Sequence, residues 1–217
     1  MIYLIRNLIS EIPHMKIIKT SEASKIRSQI ANTAAKMIIE SGLDYHTAKL
    51  KAAKVVLGDM MYRDNLIPDN SIVESEIRDY FSIFYDKSQS LHLKYLRRIA
   101  IEVMKMLEKF SPYLTGAVLN GTATKHSDIH IQLFVDSSKD VAIFLLNNHI
   151  TFSVSESSNY FQKSKNVETI SLVYKGENIH FYIYDYNDLK IKSKHSKKIV
   201  HANLAQLITI FQESKKE

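Results

Sequence analysis

The chain of 217 residues contains no cysteine. That absence rules out disulfides and thiolate metal sites, and leaves Asp, Glu and His as the only side chains for a metal. No apolar run is long enough to span a bilayer. The first nine residues are apolar with one Arg but lack a long apolar core and a small-residue cleavage site, so no signal peptide is read there. Internal repeats and low-complexity tracts are missing too. There is no Gly-x-Ser-x-Gly elbow, so the residues in sequence give no support to a Ser-His-Asp nucleophile.

What is present is enough apolar material for a core, 45% of residues, which excludes wholesale disorder. The net charge of +6 suits an anionic partner such as a nucleotide or RNA, although a solvated Lys-rich surface explains it equally well. These features together predict a soluble cytoplasmic protein without a membrane partner.

Periodicity divides the chain. Helical spacing is expected from Thr20 or Ser21 to Gly42, from Tyr45 to Leu57 with Gly58 as its stop, from Ile72 to Tyr85, and from Ser90 to Phe110. After Pro112 the texture changes. Leu114 to Leu119 and Ile129 to Val135 read as strands, Ser138 to Asn147 as a short helix, and Ile150 to Val154 as a further strand. Glu156 to Asn166 is expected to be a loop. Thr169 to Tyr174 and Ile179 to Tyr184 read as a hairpin about the turn Lys175-Gly176-Glu177-Asn178. A basic linker from Asn187 to Ser196 precedes a last helix, Lys198 to Gln212. Helices followed by strands predict an α+β fold, with a helical domain over 1–110 and a mixed α/β domain over 111–217.

The stretch richest in chemistry is Leu119-Asn-Gly-Thr-Ala-Thr-Lys-His-Ser-Asp-Ile-His-Ile131. Gly121-Thr122 is a candidate phosphate turn, with Ser127 and Lys125 beside it. On the strand that follows, Asp128 and His130 are two apart and share a face. His126 in the turn and His180 on a later strand are further imidazoles that a metal site would draw on. His180, Tyr182 and Tyr184 also alternate on one face, as a base-stacking surface or as ordinary sheet packing. The simpler explanations are an ordinary glycine turn, side-chain capping by Asp128, and surface histidines.

The second half resembles the nucleotidyltransferase superfamily, the DNA polymerase beta-like fold. Its motif is a strand, Gly-Ser or Gly-Gly, a spacer, then Asp-h-Asp/Glu-h (h apolar) on the next strand, with a third carboxylate on a later one. Gly121-Thr122 then stands for Gly-Ser, Asp128-Ile129-His130-Ile131 for the acidic strand, and His180 for the third acid, with Glu177 and Asp185 nearby. Two acids are replaced by imidazoles, and the spacer is shorter than usual. The whole chain also resembles uncharacterised proteobacterial nucleotidyltransferase-domain proteins, through its helical front, Pro112 to Gly116, the Gly-Thr-Ala turn and Asp136 to Asp140.

The resemblance implies metal-dependent nucleotidyl transfer from an NTP to an acceptor hydroxyl, on RNA or a protein. Asp128 and His130 would be catalytic, and Gly121, Thr122, Lys125 and Ser127 would bind phosphates. Asp128, His130 and His180 would hold Mg²⁺ or Mn²⁺, or a transition metal better suited to imidazole. The alternatives are a catalytically silent nucleotide- or RNA-binding module, and a DNA-binding regulator that uses the first two helices as a helix-turn-helix. Lysines on the second and fourth helices form either a guiding groove for nucleic acid or a solvated face.

Overall fold

The computed structural model describes residues 20–58, 64–84, 86–158, 166–188 and 201–214. The apolar first nine residues and most of the expected basic linker lie outside them. Helices and a mixed six-stranded sheet make this an α+β protein. No described helix is long and apolar enough to cross a membrane.

The chain divides into two compact units, Met1–Ile77 and Arg78–Glu217. The division falls within a helix rather than at the expected boundary of 110/111. The reason is the fourth helix, whose apolar stripe packs on the sheet and so belongs to the second unit.

The first unit holds α1 (Thr20–Ser41), α2 (Tyr45–Leu57) and the start of α3 (Asn70–Phe84). Small side chains at helical spacing bring α1 and α2 together: Ala31, Ala34 and Ala35 from one, Ala48, Ala52 and Ala53 from the other, all buried. Asp44 caps α2 by accepting from the Thr47 amide at 3.0 Å, and Gly58 ends it at φ +61°.

The second unit continues with α4 (Asp86–Met106), β1 (Tyr113–Thr115), α5 (Gly116–Asn120) and β2 (Ile129–Phe134). Next come α6 (Ser138–Asn147), β3 (Ser153–Ser158), β4 (Asn166–Tyr174), β5 (Glu177–Tyr184), β6 (His201–Asn203) and α7 (Leu204–Glu213). The strand order is β3-β4-β5-β2-β1-β6. β2 and β5 run parallel, and every other pairing is antiparallel.

One face of the sheet is apolar. Ile129, Ile131 and Leu133 of β2, Ile179 and Phe181 of β5, and Ile170 and Leu172 of β4 pack with Leu96, Ile99, Val103 and Met104 of α4, Val141 and Leu145 of α6, and Leu207 of α7. Because strand side chains alternate, this packing turns Asp128, His130, His180 and Ser171 to the opposite face.

Three expectations change. Leu114 to Leu119 is not one strand: it stops at Thr115, Gly116 takes φ +74°, and residues 116–120 form α5. β3 begins at Ser153 and runs into the segment expected to be a loop from Glu156. His201–Asn203 adds an unexpected edge strand before the last helix, whose start at Leu204 is fixed by an Asn203–Gln206 capping box.

Candidate functional site

Strand register builds the site. Ser153 on β3 pairs with Ser171 on β4, Ser171 with His180 on β5, His180 with His130 on β2, His130 with Thr115 on β1, and Thr115 with His201 on β6. A single polar row therefore crosses the whole sheet. Asp128 lies two residues before His130, at the level of Asn178.

Hydrogen bonds join these side chains into a line. Asn178 Nδ2 donates to Asp128 Oδ1 at 3.1 Å. His180 Nε2 lies 3.1 Å from Asp128 Oδ2, and His180 Nδ1 lies 2.8 Å from Ser171 Oγ. An ionised carboxylate can only accept. The Nε2 proton of His180 is therefore the one directed at Asp128, and in the neutral imidazole Nδ1 accepts from the Ser171 hydroxyl. The His180 and Asp128 side chains are 26% and 38% exposed, so the line is reached from solvent.

His130 is held differently. Its Nδ1 lies 3.0 Å from the Tyr182 hydroxyl, and its ring stacks on that of His180 with centroids 5.3 Å apart. Burial, with the neighbouring His180 adding to it and Asp128 opposing it, lowers the His130 pKa to about 4. His130 is thus neutral at neutral pH. Burial, and then the Asp128 charge, raise the Tyr182 pKa, which keeps its hydroxyl protonated. The two imidazoles face each other, leaving no room for a base between them.

The glycine beside this site is Gly116. A Cβ built there would come within 3.4 Å of His130 Cδ2. Gly121 is instead the left-handed cap of α5 at φ +84°, where its N–H bonds to the Ala117 carbonyl. Thr122 is buried, and both its amide and its hydroxyl bond to Asn120 Oδ1. Ser127 Oγ accepts from the Thr124 amide, the Ser127 amide bonds to the Thr124 carbonyl, and Thr124 Oγ1 accepts from the His126 amide. The loop spends these amides on itself rather than offering them to a phosphate. Lys125 and His126 are exposed in it.

The structure thus brings Asp128, His130 and His180 together, while Gly121, Thr122 and Ser127 belong to a loop that caps itself. It adds Ser171, Asn178, Tyr182 and Gly116. For a metal, the fit is poor as the side chains stand. Both ring nitrogens of His180 are engaged, Nδ1 of His130 is turned to Tyr182, and no group of three or more Asp, Glu or His among the described residues is arranged around one ion.

Comparison of the chain with family models, with curated proteins and with solved structures gives no match.

Proposed function

We propose that the second unit is a nucleotidyltransferase-like domain working as a nucleotide-binding module, with its site on the polar sheet face at Asp128, His130 and His180. Support for the resemblance comes from the placement of these three residues on neighbouring parallel strands beside a strand-ending glycine. With Gly116-Ala117 as that glycine pair, residues 118–127 form the spacer to Asp128, twice as long as the five residues that follow Thr122.

The observation that carries the binding reading over transfer is the engagement of both His180 nitrogens. A metal would have to break one of those hydrogen bonds, and one carboxylate would remain to offset its charge. In the metal-free reading Asp128 and Asn178 meet the ribose hydroxyls of the ligand, as carboxylates do in dinucleotide sites. The exposed Lys125 ammonium, in the loop leading to Asp128, faces the phosphates. An RNA end presents the same ribose and phosphate groups.

Titration calorimetry with ATP and GTP, with and without Mg²⁺ or Mn²⁺, tests this. Binding is expected without metal and without release of pyrophosphate. Asp128→Asn is expected to weaken it at least tenfold, by about 1.5–3 kcal/mol, the range for a lost charge-assisted hydrogen bond. Binding that required the metal and was followed by NTP consumption would instead establish metal-dependent nucleotidyl transfer.

A further inference from the structure

We infer that Ser171 is a nucleophile, activated by His180 and Asp128, that accepts the acyl group of a neutral ester. This goes beyond the nucleotide-binding reading and does not depend on it.

Three observations support it. The hydroxyl, imidazole and carboxylate form one continuous line, at 2.8 and 3.1 Å. These distances are within the range in which a base removes a proton from an attacking oxygen. With Asp128 ionised, the hydrogen bonds also fit the required protonation. Asp128 can only accept, so it holds the proton on Nε2 and leaves Nδ1 as the acceptor facing Ser171. Finally, the three residues stand on or directly beside three adjacent strands, β4, β5 and β2, whose pairing fixes their spacing. Asn178 holds the second carboxylate oxygen of Asp128 in place. Sites built on strands keep geometry better than sites on loops. The roles are those of a Ser-His-Asp triad with the two imidazole nitrogens exchanged.

The charge around the line selects the substrate class. No cation is among the hydrogen-bond partners described for Asp128, His180 or Ser171. A phosphate at the reacting atom would meet the Asp128 charge without a cation hydrogen-bonded to the line to offset it. The carbonyl carbon of an uncharged ester meets no such repulsion.

In the reaction Ser171 Oγ bonds to the acyl carbon while its proton passes to His180 Nδ1. The ester C–O bond then breaks, and the leaving alkoxide takes that proton. Asp128 stays ionised throughout and stabilises the imidazolium in between. Water repeats the sequence: it attacks the acyl-serine, loses a proton to Nδ1, and Ser171 leaves and is reprotonated. His130, neutral and bonded to Tyr182, stays outside the proton path.

The test is a pre-steady-state assay of the full chain with p-nitrophenyl acetate, together with labelling by an uncharged alkyl fluorophosphonate. That reagent forms an Oγ–P bond and expels fluoride. A burst of p-nitrophenol approaching one per chain is expected, with the acetyl or phosphonyl group on the peptide containing Ser171. Ser171→Ala is expected to abolish both, and His180→Gln to slow labelling at least a hundredfold. Ser155→Ala, exposed on the neighbouring strand β3, should keep both, and a far-UV circular dichroism spectrum of Ser171→Ala matching the wild type shows that this variant is folded. The inference is overturned if the wild-type chain gives neither burst nor label. It is equally overturned if the label sits on another residue, or if a burst survives in Ser171→Ala.

Discussion

The surroundings of His130 suppress its charge. Its folded pKa of about 4 lies below the ordinary 6.5. The unfolded chain therefore takes up a proton on His130 below pH 6.5, whereas the folded chain does so only near pH 4. By linkage this group contributes stability that is full above about 6.5 and is lost as the pH falls toward 4. The contribution is on the order of 1–3 kcal/mol, reduced by whatever solvent reaches the ring. Urea unfolding of the wild type and of His130→Gln at pH 7 and pH 4.5 checks the sign. The wild type should lose more stability than the variant across that interval. A second residue-level constraint acts at Gly116, whose φ of +74° is costly for a residue with a Cβ. The added methyl would also touch the His130 ring, at 3.4 Å from Cδ2. Gly116→Ala should cost about 1–2 kcal/mol in the same assay, and it should disturb the ring signals of His130 and His180 in NMR spectra.

At the scale of elements, α5 is five residues long and too short to be stable by itself. It is secured by Arg97 of α4, which is buried and donates from Nε to the Val118 carbonyl and from Nη2 to the Leu119 carbonyl, each at 3.0 Å. Burial lowers the Arg97 pKa, but the guanidinium stays charged at neutral pH and complements the carbonyl end of the helix. Arg97→Met keeps the apolar stem and leaves both carbonyls without that donor, at a cost of about 1–3 kcal/mol. Hydrogen exchange should speed up over residues 116–124 before it does in β2 or β5. This element also shows what the sequence concealed. Residues 114–119 are apolar and β-branched enough to read as a strand, and the break rests on one glycine backbone angle and on Arg97, 23 residues before α5 ends at 120. The helices from Tyr45 to Leu57 and from Ser138 to Asn147 were legible because periodicity and glycine or asparagine stops agreed. The hairpin was legible in outline but not in register. A four-residue turn over Lys175–Asn178 would pair Tyr174 with Ile179. The observed two-residue turn, with φ +53° at Lys175 and +87° at Gly176, pairs Tyr174 with Glu177 and so sets Ser171 against His180. Ser171 escaped the sequence reading because that two-residue difference decides which hydroxyl faces the imidazole.

For the molecule as a whole, the α+β class followed from the change of period after Pro112, whereas the division into units did not. A boundary at 110 assumes that a long amphipathic helix packs with the helices that precede it. Periodicity shows that a helix has an apolar face but not which partner takes it. Here the sheet needs that face. Its apolar side has helices α4, α6 and α7 against it, and the central strands β2 and β5 bury Ile131, Leu133 and Phe181 there. The same layering accounts for the polar row, since one covered face obliges Asp128, His180 and Ser171 to lie on the other. Packing on the helix side therefore sets the geometry of the site side. Phe181 tests that link, because it is fully buried and its neighbours in sequence are His180 and Tyr182. Phe181→Ala should destabilise the chain by about 3–5 kcal/mol, through lost burial and the cavity left beneath β5. Phe181→Leu, which keeps most of the volume, should cost under about 1.5 kcal/mol. If the layering argument is right, Phe181→Leu retains the Ser171–His180–Asp128 line and Phe181→Ala loosens it. Proton NMR of the His180 Nε2–H resonance distinguishes the two. A slowly exchanging signal should persist in the leucine variant and broaden in the alanine one, and equal broadening in both would separate the polar row from the core beneath it.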